Sequence, residues 1–245
     1  MRLAQLLLTC LYLGHLAVQR LSPFLVLLCL LPAAPGHAGQ PLAVWLKASR
    51  PTIQVETGED LPLPPVPNFG LLPGQSLHAV LRTSLGSLDC VLATEGAPNS
   101  VKAFVDLARG TLAWRNPRTG SSETHPLYDG TLFHRVVPGF LIQGGDPTGT
   151  GTGGPGFSMP DEIGTDATFD RAGILGLANR GPNTNGSQFF VTDGPAHHLN
   201  GRYTRLGACA DIEVIERIAR VPRGQRDRPV KAVVLRSVEI VARAK

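Results

Sequence analysis

From residue 76 to the C terminus the sequence predicts a mainly β domain, and three observations carry that prediction. Leu77, Ala79 and Leu81 alternate with His78, Val80 and Arg82; after a Ser84-Leu85-Gly86 turn the period of two resumes at Leu88, Cys90 and Leu92, as in an antiparallel hairpin. Phe133, Val136, Val137, Phe140, Leu141 and Ile142 form a second strand-turn-strand unit about Pro138-Gly139. Helical periodicity marks two short stretches, and a domain of about 170 residues is long enough to bury a full core.

The segments before this domain have a different character. Residues 1–38 contain no acid and, as basic residues, Arg2 and Arg20; they carry apolar runs at 3–18 and 21–31, and Gly36-His37-Ala38 permits cleavage before Gly39. This is the pattern of an export signal. Gln19-Arg20 interrupts what is otherwise one span of about 20 residues; a start near Val18 or Leu21, with Arg20 in a short basic region, and an uncleaved membrane anchor are the alternatives. Residues 39–75 include Pro41, Pro51, Pro62, Pro64, Pro65, Pro67 and Pro73 without sustained periodicity, which predicts an extended linker. An arm packed on the domain through Trp45 and Phe69 is the alternative.

Within the domain, Pro98-Asn99-Ser100 opens a helix with Val101, Phe104, Val105 and Ala108 on one face, and Gly110 ends it. A second helix starts near Asp211, turns Ile212, Ile215 and Ile218 inward and stops before Val221-Pro222. The last strand is expected at 230–241. Residues 111–129 form a polar, turn-rich connection longer than a plain loop, to which the sequence assigns no role.

Composition excludes several classes. The formal net charge of +4 falls by two when the leader is removed. Arg217, Arg220, Arg223, Arg226 and Arg228 are interrupted by Glu213, Glu216 and Asp227 and lack interleaved aromatics, which describes a solvated face and no nucleic-acid partner. The glycine-rich run 149–156 lacks the Gly-Lys-Ser/Thr ending of a phosphate loop and is expected to border a groove. His197-His198 has neither the helical spacing nor the further ligands of a metal site, so no metal is expected. Asn185-Gly186-Ser187 fits a glycosylation acceptor but reads as loop scaffold. Of four cysteines, Cys10 and Cys29 lie in the leader. Cys90 and Cys209 remain, where an oxidising compartment favours a disulfide, yet Cys209 is out of phase with Leu206; a disulfide and two separate buried thiols both stand.

One residue is out of place. Arg135 sits in an apolar strand pattern, and a guanidinium cannot shed its charge, so it must pair with an acid, lie at the rim or face a ligand. About forty residues on, Asn179, Asn183, Asn185 and Gln188 form a loop rich in amide donors and acceptors between apolar stretches.

Together FHRVVPGFLIQGGD (133–146) and GLANRGPNTNGSQFF (176–190) resemble the cyclophilin family of peptidyl-prolyl cis-trans isomerases, of the exported bacterial type, over about residues 77–241. The resemblance implies a closed antiparallel eight-stranded β-barrel capped by two α-helices. It implies that Arg135 is the catalytic arginine and Gln143 a positioning glutamine. Phe140, Leu141, Phe190 and Leu199 match the apolar wall that holds the substrate proline; Ala178, Asn179 and Arg180 match the segment whose backbone binds the peptide, with Gln188 a further polar residue of the groove. The sequence departs from the family at the outer pocket. His198 stands where many members have tryptophan, Tyr203 replaces a frequent histidine and Leu206 a frequent phenylalanine, so weak cyclosporin binding is expected.

The chemistry such residues serve is kinetic. Rotation about a peptide bond faces a barrier of about 18–20 kcal/mol, and X-Pro bonds exchange over roughly tens to hundreds of seconds. A donor to the prolyl nitrogen acts only at the twisted transition state, where that nitrogen gains a free lone pair. The expectation is therefore a non-covalent isomerase without cofactor, acting as a monomer on proline-containing polypeptides. Its setting is periplasmic, or membrane-anchored and facing the periplasm. A proline-peptide binding or scaffold module with little catalysis is the alternative.

Overall fold

Alternation at Leu77, Ala79 and Leu81 becomes the inner row of β1 (Gln75–Thr83), which turns through a tight connection into β2 (Gly86–Leu92), whose Leu88, Cys90 and Leu92 point the same way. The computed structural model describes residues 66–165 and 167–245. The leader 1–38 and most of the 39–75 linker lie outside the described residues; within its last part Phe69 and Leu71 pack against the core, and β1 starts at Gln75.

The remaining strands are β3 (Trp114–Arg115), β4 (Ser122–Glu123), β5 (Thr131–Leu132), β6 (Arg135–Val137), β7 (Leu141–Gly144), β8 (Ile174–Leu177), β9 (Phe189–Thr192), β10 (Arg205–Cys209) and β11 (Val234–Ala244). All but β3 and β4 join one antiparallel sheet of nine strands, in the order β5-β11-β1-β2-β10-β8-β9-β7-β6; β3 and β4 pair only with each other. The family's barrel is expected to have eight strands. The ninth arises because the run from Thr131 to Val137 breaks at Phe133 and His134, where it leaves β11 and joins β7. The two edges of the sheet are thus joined by the chain itself and by a single bridge, Leu132 to Asp146, in place of a continuous ladder. The last strand begins at Val234, later than expected, because Val230 follows Pro229 and donates instead to the Pro222 carbonyl at 2.8 Å.

Two helices complete the architecture. Helix α1 (Pro98–Arg109) turns Val101, Phe104, Val105 and Ala108 inward and ends on Gly110, whose φ of 71° is the left-handed conformation glycine adopts freely. Its N terminus is capped from a distance: Glu162 accepts from the Ser100 N–H at 2.6 Å and the Asn99 N–H at 3.1 Å. Helix α2 (Ile212–Ala219) buries Ile215 and Ile218. Inside the curled sheet, Phe189 is the aromatic hub, with edge contacts to Phe104, Tyr128 and Phe133 at ring distances of 5.8 to 6.0 Å.

Cys90 and Cys209 are direct cross-strand partners and form a disulfide that closes 119 residues. The phase difference that argued against it is real, and a bulge resolves it. Between β10 and β8 the register slips between Arg205 and Gly207, leaving Leu206 as an extra residue, so Leu206 and Cys209 both face inward. Replacing both cysteines by alanine is expected to lower unfolding stability by about 2–4 kcal/mol, read by chemical denaturation. Thiol titration of the unfolded chain should find Cys90 and Cys209 blocked until reductant is added.

Candidate functional site

A period-two ladder sends facing residues out of the same side of a sheet. Arg135 on β6 faces Gln143 on β7, Gln143 faces Phe190 on β9, and Phe190 faces Gly176 on β8. The next row, Val136, Ile142, Val191 and Leu175, is fully buried in the interior. Arg135, Gln143 and Phe190 therefore stand side by side on the outer face, the first two from one hairpin and the third from a strand more than forty residues on. Gly176 makes room for this row: a Cβ there would lie 2.7 Å from the Phe190 ring and 2.9 Å from Phe169.

Around Phe190 gathers a second apolar cluster outside the sheet, with Leu141, Phe169, Ile174, Ala196 and Leu199 buried in it and Phe140, Ala178 and Tyr203 at its margin. Phe169 and Tyr203 flank the Phe190 ring at 5.4 and 5.6 Å. Phe140 rides on the Gly139 turn, which Asp193 ties down: the Gly139 N–H donates to the Asp193 carboxylate at 2.7 Å, and the Asp193 N–H donates to the Phe140 carbonyl at 2.8 Å. His198, on the short 3-10 turn His197–Leu199, lies 5.2 Å from the Phe140 ring. The Arg135 guanidinium sits 5.7 Å from the centre of that ring.

Arg135 is half-buried at the rim and also has an acid. Its Nε lies 3.7 Å from Asp227, which Arg223 approaches at 3.5 Å. Asp227 was not legible as a site residue, because it falls in the arginine-rich stretch that reads as a solvated face. A local sign exists only in the backbone: Arg226 and Asp227 both take positive φ, 57° and 58°, strain that residues with side chains accept when surrounding structure demands it.

Gln143 is held by a chain of hydrogen bonds. Its Nε2 donates to Gln188 Oε1 at 3.0 Å, and Gln188 Nε2 donates to the carbonyls of Gly151 and Gly153 at 3.1 and 2.8 Å. That glycine loop is wound about Asp146, whose fully buried carboxylate accepts from Thr148, Thr150, Gly151 and Gly153. Burial alone would push the Asp146 carboxyl up; the hydrogen bonds from Thr148, Gly153 and Gly151 outweigh it and hold the group below the usual carboxylate range. Beneath the same loop His134 is buried, and burial, with Arg228 and Arg135 adding against the pull of Asp146, moves its imidazole below the ordinary value.

Beyond Gln143 and Gln188 a cleft of about 720 Å³ opens, floored by the 151–158 loop and edged by Ala178, Asn179 and Arg180. The Ala178 and Arg180 N–H groups are taken by the Gln188 carbonyl and the Thr184 hydroxyl, which leaves the Asn179 main chain as the segment's open edge among the described residues. Arg115, from the 111–129 connection, lines the cleft as well, a placement no local pattern announced. Asn185 and Ser187 of the glycosylation-like triplet are fully buried and serve as scaffold. One expected groove residue is not there. Leu206 is fully buried in the main core, because the bulge at that position turns its side chain inward.

A family model described as "Cyclophilin type peptidyl-prolyl cis-trans isomerase/CLD" matches residues 78–240. Peptidyl-prolyl cis-trans isomerase B of Streptomyces anulatus is 46% identical over 173 residues, covering 69% of this chain and 99% of the relative. Peptidyl-prolyl cis-trans isomerase A of Mycobacterium tuberculosis is 45% identical over 165 residues, 66% of this chain and 91% of its own. Among solved structures, a Cryptosporidium parvum cyclophilin-type isomerase crystallised in the presence of the dipeptide Ala-Pro superposes with a TM-score of 0.58 at 33% identity, covering 69% of this chain and 99% of that one.

The titrating groups predict an acid-labile site. Both folded pKa values are depressed, so the unfolded chain binds more protons and stability falls on acidification. The His134 contribution is complete above about pH 6.5 and is lost below it; the Asp146 contribution is complete above about pH 4 and is lost below that. Unfolding midpoints measured from pH 8 to pH 3 should decline in these two stages, and His134→Gln should flatten the first stage alone. A second prediction concerns the row itself: Gly176→Val should displace Phe190 and Phe169, visible as loss of their ring shifts by NMR, and weaken binding of proline peptides by about tenfold or more.

Proposed function

This chain belongs to the cyclophilin-type peptidyl-prolyl cis-trans isomerases, and we propose that it accelerates rotation about X-Pro bonds with Arg135 as donor to the prolyl nitrogen. The observation that carries this is the row Arg135, Gln143, Phe190 on the outer sheet face, which sets a charge-bearing donor and a fixed amide beside an apolar floor.

The proline ring rests against Phe140, Leu141, Phe190 and Leu199, where burial of apolar surface supplies binding without demanding one isomer. The peptide continues past Gln143 and pairs with the open Asn179 main chain, so one side of the bond is held while the other turns. As the bond twists, resonance is lost and the prolyl nitrogen becomes a hydrogen-bond acceptor; Arg135 donates to it at that point and not in either planar state, which makes the interaction differential. Contact with Phe140 and the pull of Asp227 limit the orientations of the guanidinium beforehand, which lowers the cost of aiming it. Gln143 is aimed in turn by Gln188. No covalent step is involved.

The setting we propose is outside the cytoplasm, on polypeptides that fold after export. The leader-like residues 1–38 and the Cys90–Cys209 disulfide support it, since disulfides persist in oxidising compartments. Whether the leader is removed or serves as a tether is read directly from the N-terminal residue of the mature protein by mass spectrometry.

Isomerisation of a chromogenic X-Pro peptide should be accelerated by the wild type. Arg135→Ala should lower kcat/KM by about 10²–10³-fold, the usual cost of one transition-state donor, while peptide affinity changes much less. Equal rates for wild type and variant would refute the donor assignment; tight peptide binding with no catalysis in either would assign the groove to scaffolding.

A further inference from the structure

The cleft beyond Gln143 has a charge imbalance that the isomerase chemistry does not use. Two arginines reach its wall from unrelated parts of the chain, Arg115 on β3 and Arg180 after β8, and no carboxylate is among its lining residues. Each guanidinium is steadied by one main-chain carbonyl: Arg115 Nε donates to Gly120 at 3.2 Å and an Arg180 amino group donates to Thr152 at 2.5 Å. Neither is ion-paired among the described residues. The acids nearby are turned away or spent, Asp161 on the Asn183 N–H at 2.9 Å, the Asn185 amide at 2.6 Å and the Asn179 amide at 3.5 Å. Glu123 faces Trp114 in the β3–β4 ladder, on the side opposite Arg115, and bonds Ser121. Asp146 lies behind the floor with its oxygens filled by the loop's own hydroxyl and N–H groups.

The placement of Arg115 is built into the fold. The Arg115 N–H donates to the Pro155 carbonyl at 2.8 Å, pinning the β3–β4 hairpin to the glycine loop, and Gly156 is required there because a Cβ would lie 2.6 Å from that of Arg115. Trp114, buried on the other face and bonded to the His125 carbonyl at 3.0 Å, anchors the hairpin from beneath. Two planar forks on a cleft open to solvent match a carboxylate, which accepts bidentate bonds.

We propose that Arg115 and Arg180 make this end of the peptide groove selective for an acidic side chain of the substrate. On the isomerase reading, on which this rests, the two arginines select X-Pro sites with a glutamate or aspartate two or three positions from the proline. The cleft begins at Gln143, one ladder step from Phe190, and an extended peptide advances about 3.3 Å per residue, so such a side chain falls over it.

The test uses the purified protein and short peptides with one X-Pro bond, carrying either Glu or Gln at each of three positions on either side of that bond. At one position the wild type should favour Glu over Gln by about three- to tenfold in kcat/KM and in Kd, as two exposed ion pairs allow, and high salt should erase the preference. The double variant Arg115→Glu with Arg180→Glu should invert it toward a Lys peptide. The ratio between peptides cancels any general loss of activity, and the salt dependence of the wild type stands even if the variant folds poorly. Equal handling of Glu and Gln at every position, or a preference unchanged in the double variant, would overturn the proposal. Should no peptide be isomerised at all, the catalytic reading falls, and the Kd ratio still decides the subsite.

Discussion

The registration of β6, β7, β9 and β8 is the constraint on which this site depends. Facing residues of an antiparallel ladder share a side, so the pairings Arg135 to Gln143 to Phe190 to Gly176 place donor, amide and aromatic floor in one row. A slip of one residue in any of these pairings would exchange the row with Val136, Ile142, Val191 and Leu175, driving a guanidinium into the core. The hydrophobic interior therefore enforces the active geometry. Burial of four apolar side chains on the inner face holds three functional ones in line on the outer face.

Two supports act on this row from outside the sheet. One is polar and runs from buried Asp146 through the glycine loop to Gln188 and Gln143, so that a buried carboxylate sets the angle of a side chain on the outer face. The other is the Asp193 clamp on the Gly139 turn, which fixes Phe140 beneath Arg135. Both use charge-assisted hydrogen bonds to main-chain N–H groups, which are short and directional and cost little side-chain entropy because the acceptors are packed. The glycines of these loops serve approach as much as conformation: at Gly153 a Cβ would collide with the Asp146 carboxylate itself.

Much of the fold was readable without coordinates. The hairpin 75–92, the helix closed by Gly110 and the Pro138-Gly139 turn follow from periodicity and turn chemistry, which act over a few residues. The candidate site was legible in its central members because Arg135 among apolar neighbours conflicts with local expectation, and the ladder sets Arg135, Gln143 and Phe190 in one row. Leu206 lies in the core and not in the groove, and Cys209 faces inward despite its phase, for one shared reason: the bulge between Arg205 and Gly207 resets the alternation, and nothing in the residue types around it signals the extra residue.

By itself, then, the sequence determined the β-rich class, the two helices and the family, and it singled out Arg135, Gln143 and Phe190 as candidates, because each is written in local period or in a contiguous motif. Tertiary structure alone decided that Asp227 holds Arg135, that Asp146 supports Gln143 through a loop, that Cys90 meets Cys209, and that the 111–129 connection delivers Arg115 to a cleft beside Arg180. These links run through residues tens of positions apart, even where, as with Asp146 and Gln143, the two ends are close in sequence and the relay passes through Gln188. Their partners are chosen by strand order and register, which arise from burying a common core and leave no period in the chain to read.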